Sequence, residues 1–148
     1  MTLYLDSSAI LQVYLQEPHA NLVQATIARD PIAYTCEISY LEARAGFARA
    51  ARDQRISSAD LAVLRAAFDV DWGRYLYVPA DSELVRHAAD LVDRHTRHAL
   101  RAFDALQLAA ATRVAAGTEP SVTLVCFDRR LWRSARDQGF ECLPRGQP

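Results

Sequence analysis

Strand-like and helix-like segments alternate along this chain from end to end, and that alternation restricts the fold more than any single residue does. Residues 2–6 are a short apolar run that reads as a buried strand. Ser7 or Ser8 can cap the helix that follows, which runs to about residue 16 and stops before Pro18. A short helix is expected around 21–28, and "IAYTC" (32–36) is a second strand. Residues 39–54 form a helix with Tyr40, Leu41, Ala45 and Ala48 on one face. "SSADLAVLRAAF" opens the next helix with a variant capping box, Ser57 to Asp60. "RYLYV" (74–78) is a third strand, "DSELVRHAADLVDRH" an amphipathic helix, and 100–116 another helix. "AAGTEPS" (115–121) is the most loop-like stretch. "VTLVCF" (122–127) is a fourth strand, "RRLWRSARDQG" a helix closed by Gly139, and "FECL" a candidate last strand. Such alternation implies βαβ units: an α/β fold over residues 1–148 as one domain, with a central parallel sheet of four or five strands and helices on both faces. Ligands of such sheets bind beyond the carboxyl ends of the strands, near the switch point.

Composition narrows the chemistry. At 148 residues and 51% hydrophobic, the chain can bury a proper core. No apolar run approaches the roughly eighteen residues that span a bilayer, and the N-terminus lacks the layout of a signal peptide, so a cytoplasmic protein without membrane association is expected. Cys36, Cys126 and Cys142 cannot all pair and form no CxxC, which suits buried free thiols in a reducing compartment. The formal net charge is −1, so no global basic field draws nucleic acid. All 17 basic residues are arginine. The absence of lysine excludes a P-loop lysine, a Schiff-base lysine and the strand-end lysine of a receiver domain. Arginine remains, and it grips phosphate and carboxylate bidentately.

Acids punctuate this frame. Asp6 follows the first strand in "LYLDSSAIL", and Asp128 follows the fourth in "VTLVCFDRRL". In a parallel sheet both strand ends point the same way, so both carboxylates can reach one crevice. Asp104 lies near the start of "LRAFDALQLAAA", among apolar neighbours. Glu42 is expected in the first turn of its helix, just after strand two. Any one of them alone is explained by capping or by the helix dipole; four such acids together are not. At roughly 5 Å and an effective dielectric of about 20, each carboxylate pair costs on the order of 3 kcal/mol. A divalent cation relieves that repulsion. An oxygen-only donor set points to Mg²⁺, or Mn²⁺, rather than zinc. Such an ion lowers the pKa of bound water and stabilises a phosphodiester transition state, which is nuclease chemistry.

"YLDSSAIL", "TCEISYLEARAGFAR", "LRAFDALQLAAA" and "VTLVCFDRRL", in this order, resemble the four motifs of the PIN domain. The short VapC-type toxins of bacterial toxin–antitoxin pairs are the nearest kind, and the resemblance covers almost the whole chain. It implies a PIN-like fold, metal-dependent endoribonuclease activity, a homodimer and inhibition by a cognate antitoxin. Asp6, Glu42, Asp104 and Asp128 match the family's acidic catalytic and metal-binding residues, and Ser8 matches a small polar residue beside the first acid. Cys36 and Cys126 stand where hydroxyl residues are frequent, and Gln107 where histidine often stands.

Other features are weighed against plainer explanations. Ser8, Arg101, Arg129 and Arg130 are candidate RNA contacts, because an acidic site needs local arginines to hold a polyanion. His95 and His98, spaced i and i+3, lack an evident third ligand and are expected at the surface. Trp72 and Trp132 are expected to pack rather than stack on bases. A haloacid-dehalogenase-type phosphatase also begins strand–Asp but requires a second acid where Ser8 stands. The helices near 11–15 and 61–68 carry more apolar residues than a small sheet needs, which suggests a second copy and a groove for a partner. The rival in another class is a catalytically silent PIN-like module that binds RNA or protein.

Overall fold

The computed structural model describes residues 2–30, 32–118 and 121–148. Five parallel strands form one sheet in the order β3-β2-β1-β4-β5: β1 (Thr2–Leu5), β2 (Ala33–Cys36), β3 (Leu76–Val78), β4 (Val122–Val125) and β5 (Glu141–Leu143). The central strand β1 pairs with β2 on one side and β4 on the other, with Leu5 opposite Val125. From β1 the chain builds outward to β2 and β3, then crosses to the other side for β4 and β5. The reversal falls between β1 and β4, the place where open α/β sheets form a crevice at the carboxyl ends of their strands.

Among the described residues seven α-helices connect the strands: α1 (Ser7–Tyr14), α2 (Ala20–Arg29), α3 (Ile38–Arg52), α4 (Ser58–Trp72), α5 (Ser82–Arg94), α6 (Ala102–Gly117) and α7 (Arg129–Asp137). A 3₁₀ turn at Thr96–His98 joins α5 to α6. Strand alternation divides the core in two. Leu3, Leu5 and Val125 face α1–α4 and pack with Ile10, Val23, Phe47 and Phe68. Tyr4, Leu124 and Cys126 face α5–α7 and pack with Leu84, Leu91, Leu108 and Leu131. The helices therefore cover both faces, as expected. All three cysteines are free and buried. Glu119 and Pro120, within the expected loop, lie outside the described residues, and α6 reaches three residues into that loop, to Gly117.

Local chemistry explains the boundaries. Ser57 and Asp60 form a full reciprocal capping box at α4. The cap of α1 is Asp6 rather than a serine; its carboxylate accepts from the Ser8 backbone N–H. Gly46 lets α3 approach α1: a Cβ there would lie 2.5 Å from Leu11 Cδ2. The apolar surplus of α1 goes mostly inward, whereas α4 buries Phe68 and leaves Val63 and Val70 exposed. Leu11, Tyr14, Leu15 and Leu61 pack against the α1–α4 side of the core. Tyr14, Tyr40, Phe47 and Trp72 each lie within 5.7 Å of the Phe68 ring centroid. Trp132 likewise packs on the core and donates its Nε1–H to the Pro144 carbonyl.

Candidate functional site

Each of the four acids reaches the crevice from a different element. Asp6 directly follows β1 and is buried, 3% exposed. Its own N–H donates to the Val125 carbonyl, which pins it to the end of β4. Asp128 caps α7, where its Oδ1 accepts from the backbone N–H groups of Arg130 and Leu131 at 2.8 and 3.1 Å. Asp104 occupies the first turn of α6. Glu42 is the fifth residue of α3, which corrects the expectation of a first-turn position: that turn contains no acid. A dipole or capping role therefore does not explain Glu42.

Burial is the main force on these carboxylates. It pushes Asp104 up to about 7, with the charges of Asp128 and Asp6 adding to the effect. It likewise pushes Glu42 up to about 7, with Asp6 adding to it. Asp6 is raised by burial too, opposed by hydrogen bonds from Ser8. The acids thus share one electrostatic environment. Asp104 Oδ2 is buried without a hydrogen-bond partner, a position that costs about 1–3 kcal/mol when nothing compensates it.

Hydroxyls and one amide hold the acids. Ser8 Oγ–H donates to Asp6 Oδ2 at 2.5 Å, and the Phe127 N–H donates back to Ser8 Oγ at 2.8 Å. Ser8 therefore ties the first acid to the residue preceding the fourth, and its oxygen is engaged within the fold. Ser7 Oγ–H reaches Asp6 Oδ1 at 3.3 Å. Glu42 Oε2 accepts from Gln107 Nε2 at 2.8 Å. Sequence reasoning missed Ser7 and Ser39 as parts of the site and noted Gln107 only as standing where the family often has histidine. One signal was available: Ser39 lies three residues before Glu42, and Gln107 three after Asp104, so each shares a helix face with its acid.

Of the candidate RNA contacts, Arg101 is exposed at the N-cap of α6. Arg130 is half-buried, and Arg129 Nε–H donates to the Pro148 carbonyl. The histidines differ from expectation. His95 is buried, and Asp137 supplies the third group, so that His95, His98 and Asp137 meet within 4.8 Å. Their contacts are those of a charge cluster rather than an ion cage: Arg97, His98 and His95 all converge on the same oxygen, Asp137 Oδ2. The guanidinium and His98 already take the place an ion would need. Asp6, Glu42, Asp104 and Asp128 offer oxygen donors alone, the kind of donor a hard divalent cation takes.

Comparison with known proteins gives a consistent result. Residues 3–137 match the PIN domain family. The chain is 29% identical over 141 residues to ribonucleases VapC45 and VapC49 of Mycobacterium tuberculosis, covering 95% of this chain and 94% of each relative. Among solved structures, FitAcB from Neisseria gonorrhoeae superposes with a TM-score of 0.68 at 18% identity, covering 97% of both chains. VapBC2 from Rickettsia felis, bound to a DNA fragment from its promoter, superposes with a TM-score of 0.63 at 14% identity, covering 96% of this chain and 97% of that one.

Proposed function

The chain belongs to the PIN-domain family, and from that premise we propose that it is a Mg²⁺-dependent endoribonuclease acting as the toxin of a toxin–antitoxin pair. One observation carries the reading. Four carboxylates from four elements share one electrostatic environment, two of them raised to about 7, and Asp104 keeps a buried oxygen without a partner. The donor set fits a hard divalent cation, with Asp6, Glu42, Asp104 and Asp128 as the residues that would hold it and Mn²⁺ as an acceptable substitute. When bound, the ion would supply Lewis-acid stabilisation of the phosphodiester and a more acidic water.

The chain's own residues do the rest. Ser8 fixes the Asp6 carboxylate against the end of β4. Asp128 is held by two backbone N–H groups, which leaves its other oxygen for the crevice. Arg101, Arg129 and Arg130 lie beside the acids in sequence and offer phosphate contacts for RNA. Ser8 is the remaining candidate contact.

The reading extends to partners. The likeness of the whole chain to the VapC ribonucleases supports looking for a cognate antitoxin. Here an apolar groove lined by Tyr40, Leu41, Trp72 and Tyr77, with Glu37 and Asp69 among its lining, runs beside α3, the helix that carries Glu42. An antitoxin helix with basic residues suits that groove. A homodimer is proposed as well: Val63 and Val70, two turns apart on α4, are 69% and 70% exposed. No described helix is long and apolar enough to cross a membrane. RNA and the reducing conditions that suit three free cysteines are found together in the cytoplasm, where we place its action.

The test is cleavage of RNA by the purified chain across a Mg²⁺ titration and in EDTA. Asp6→Asn, Asp104→Asn and Asp128→Asn should each abolish cleavage while circular dichroism stays that of the wild type. Wild-type cleavage by Asp104→Asn would overturn the site. Metal-independent RNA binding without cleavage by the wild type would favour a silent module instead.

A further inference from the structure

Gln107 is fully buried on α6 and uses both ends of its amide in the site. Its Nε2 donates to Glu42 Oε2 and to Ser39 Oγ, each at 2.8 Å. Its Oε1 accepts from the Tyr4 hydroxyl at 2.7 Å. Beyond Ser39, the Thr35 hydroxyl lies 2.8 Å from Ser39 Oγ and 2.7 Å from the Leu5 carbonyl.

Counting protons gives this network a single direction. A carbonyl only accepts, so Thr35 directs its one proton to Leu5. Ser39 then donates to Thr35, and the Ser39 oxygen is free to accept from Gln107. A flipped amide would turn its oxygen toward the Glu42 carboxylate and the Ser39 oxygen, setting acceptor against acceptor and leaving Glu42 with Ser7 as its hydrogen-bonding side chain. The amide therefore has one satisfactory orientation, in which an N–H points at Glu42. The network also links the carriers of three acids: Leu5 immediately precedes Asp6, Ser39 sits one turn before Glu42, and Gln107 one turn after Asp104.

Fold stability alone gives no reason for this side chain. Replacing a buried hydrogen-bonded group and its partners by apolar ones of the same shape is nearly neutral, and α6 is otherwise lined here by Ala105, Leu108, Ala109 and Ala111. From the convergence of these bonds on a carboxylate of the crevice, we propose that Gln107 is a positioning residue that aims Glu42 and so sets the affinity of the site for a divalent cation. The proposal rests on the metal-site reading above.

The experiment is calorimetric titration of Mn²⁺ into the full chain. Gln107→Met keeps the length and removes the donor, and should weaken Mn²⁺ binding by about tenfold or more, the usual cost of losing a group that orients a metal ligand. In a Glu42→Gln background the same change should cost nothing further, because its effect passes through Glu42. Gln107→His keeps an N–H donor and should bind within a few-fold of the wild type. Tyr4→Phe removes the lock at the other end and should give an intermediate loss, which serves if Gln107→Met does not fold. Unchanged affinity in both Gln107→Met and Tyr4→Phe would overturn the proposal and leave the metal site standing. So would an equal loss in the Glu42→Gln background. A wild-type chain that binds no Mn²⁺ would overturn the site reading, and this proposal with it.

Discussion

Asp104 carries a charge in a place that disfavours it, and this has a measurable consequence for the metal-free protein. Its pKa and that of Glu42 are raised by burial, then by neighbouring acids, to about 7. In the unfolded chain both groups ionise near pH 4. Between about pH 4 and 7 the folded protein therefore holds protons that the unfolded chain has released, so stability falls as pH rises through that window. In EDTA the Tm should drop from pH 5 to pH 7.5. Asp104→Asn should flatten that drop and, by relieving roughly 1 kcal/mol of repulsion, raise the Tm at pH 7.5 by about 2–4 °C. Differential scanning calorimetry of the two proteins is the measurement. A Tm that climbs with pH, or an equal slope in both proteins, would show that the acids do not strain the fold.

At the scale of elements, α4 is the helix held most narrowly. Phe68 is its one fully buried side chain, set among the rings of Tyr14, Tyr40, Phe47 and Trp72. Phe68→Ala should cost about 3–5 kcal/mol in urea unfolding, and amides of α4 should exchange with deuterium well before those of the sheet. Exchange lost uniformly across the chain would mean that α4 is not a separately docked element. The order of elements was legible because each strand is a short apolar run and each helix a longer periodic one. The acids at strand ends were legible for the same reason: Asp6 and Asp128 sit where periodicity changes. Glu42 was placed in the first turn rather than just beyond it, because α3 begins one residue earlier than expected, at Ile38, with no side-chain cap to mark its start. The network through Thr35, Ser39 and Gln107 was hidden, since its members come together only when β2, α3 and α6 pack. Asp137 escaped notice as the partner of His95 and His98 for the same reason: it lies about forty residues away in the chain.

For the whole molecule the charge balance decides how partners arrive. A net charge of −1 gives no long-range pull on RNA, so substrate binding rests on local arginines, and cleavage should slow steeply with added salt. The exposed Val63 and Val70 on α4 lead us to expect a homodimer, which light scattering at micromolar concentration would show; a monodisperse monomer would count against it. The groove beside α3 leads to a sharper expectation. Tyr40 and Leu41 of that groove lie on α3, the helix that also carries Glu42, and we expect a partner helix seated on Tyr40, Leu41 and Trp72 to extend a basic side chain to the carboxylates. Without metal, those acids attract an arginine or lysine, and desolvation strengthens the pair. The proposed antitoxin would then occupy the cation's place with a basic side chain. Its affinity should fall as Mg²⁺ rises and fall again in Asp6→Asn, with the two effects less than additive because both act on one charge cluster. Expression of the chain alone should slow growth, and Asp6→Asn should remove that effect. Binding indifferent to both Mg²⁺ and Asp6→Asn would show that the partner holds the protein by the groove alone and leaves the acids open.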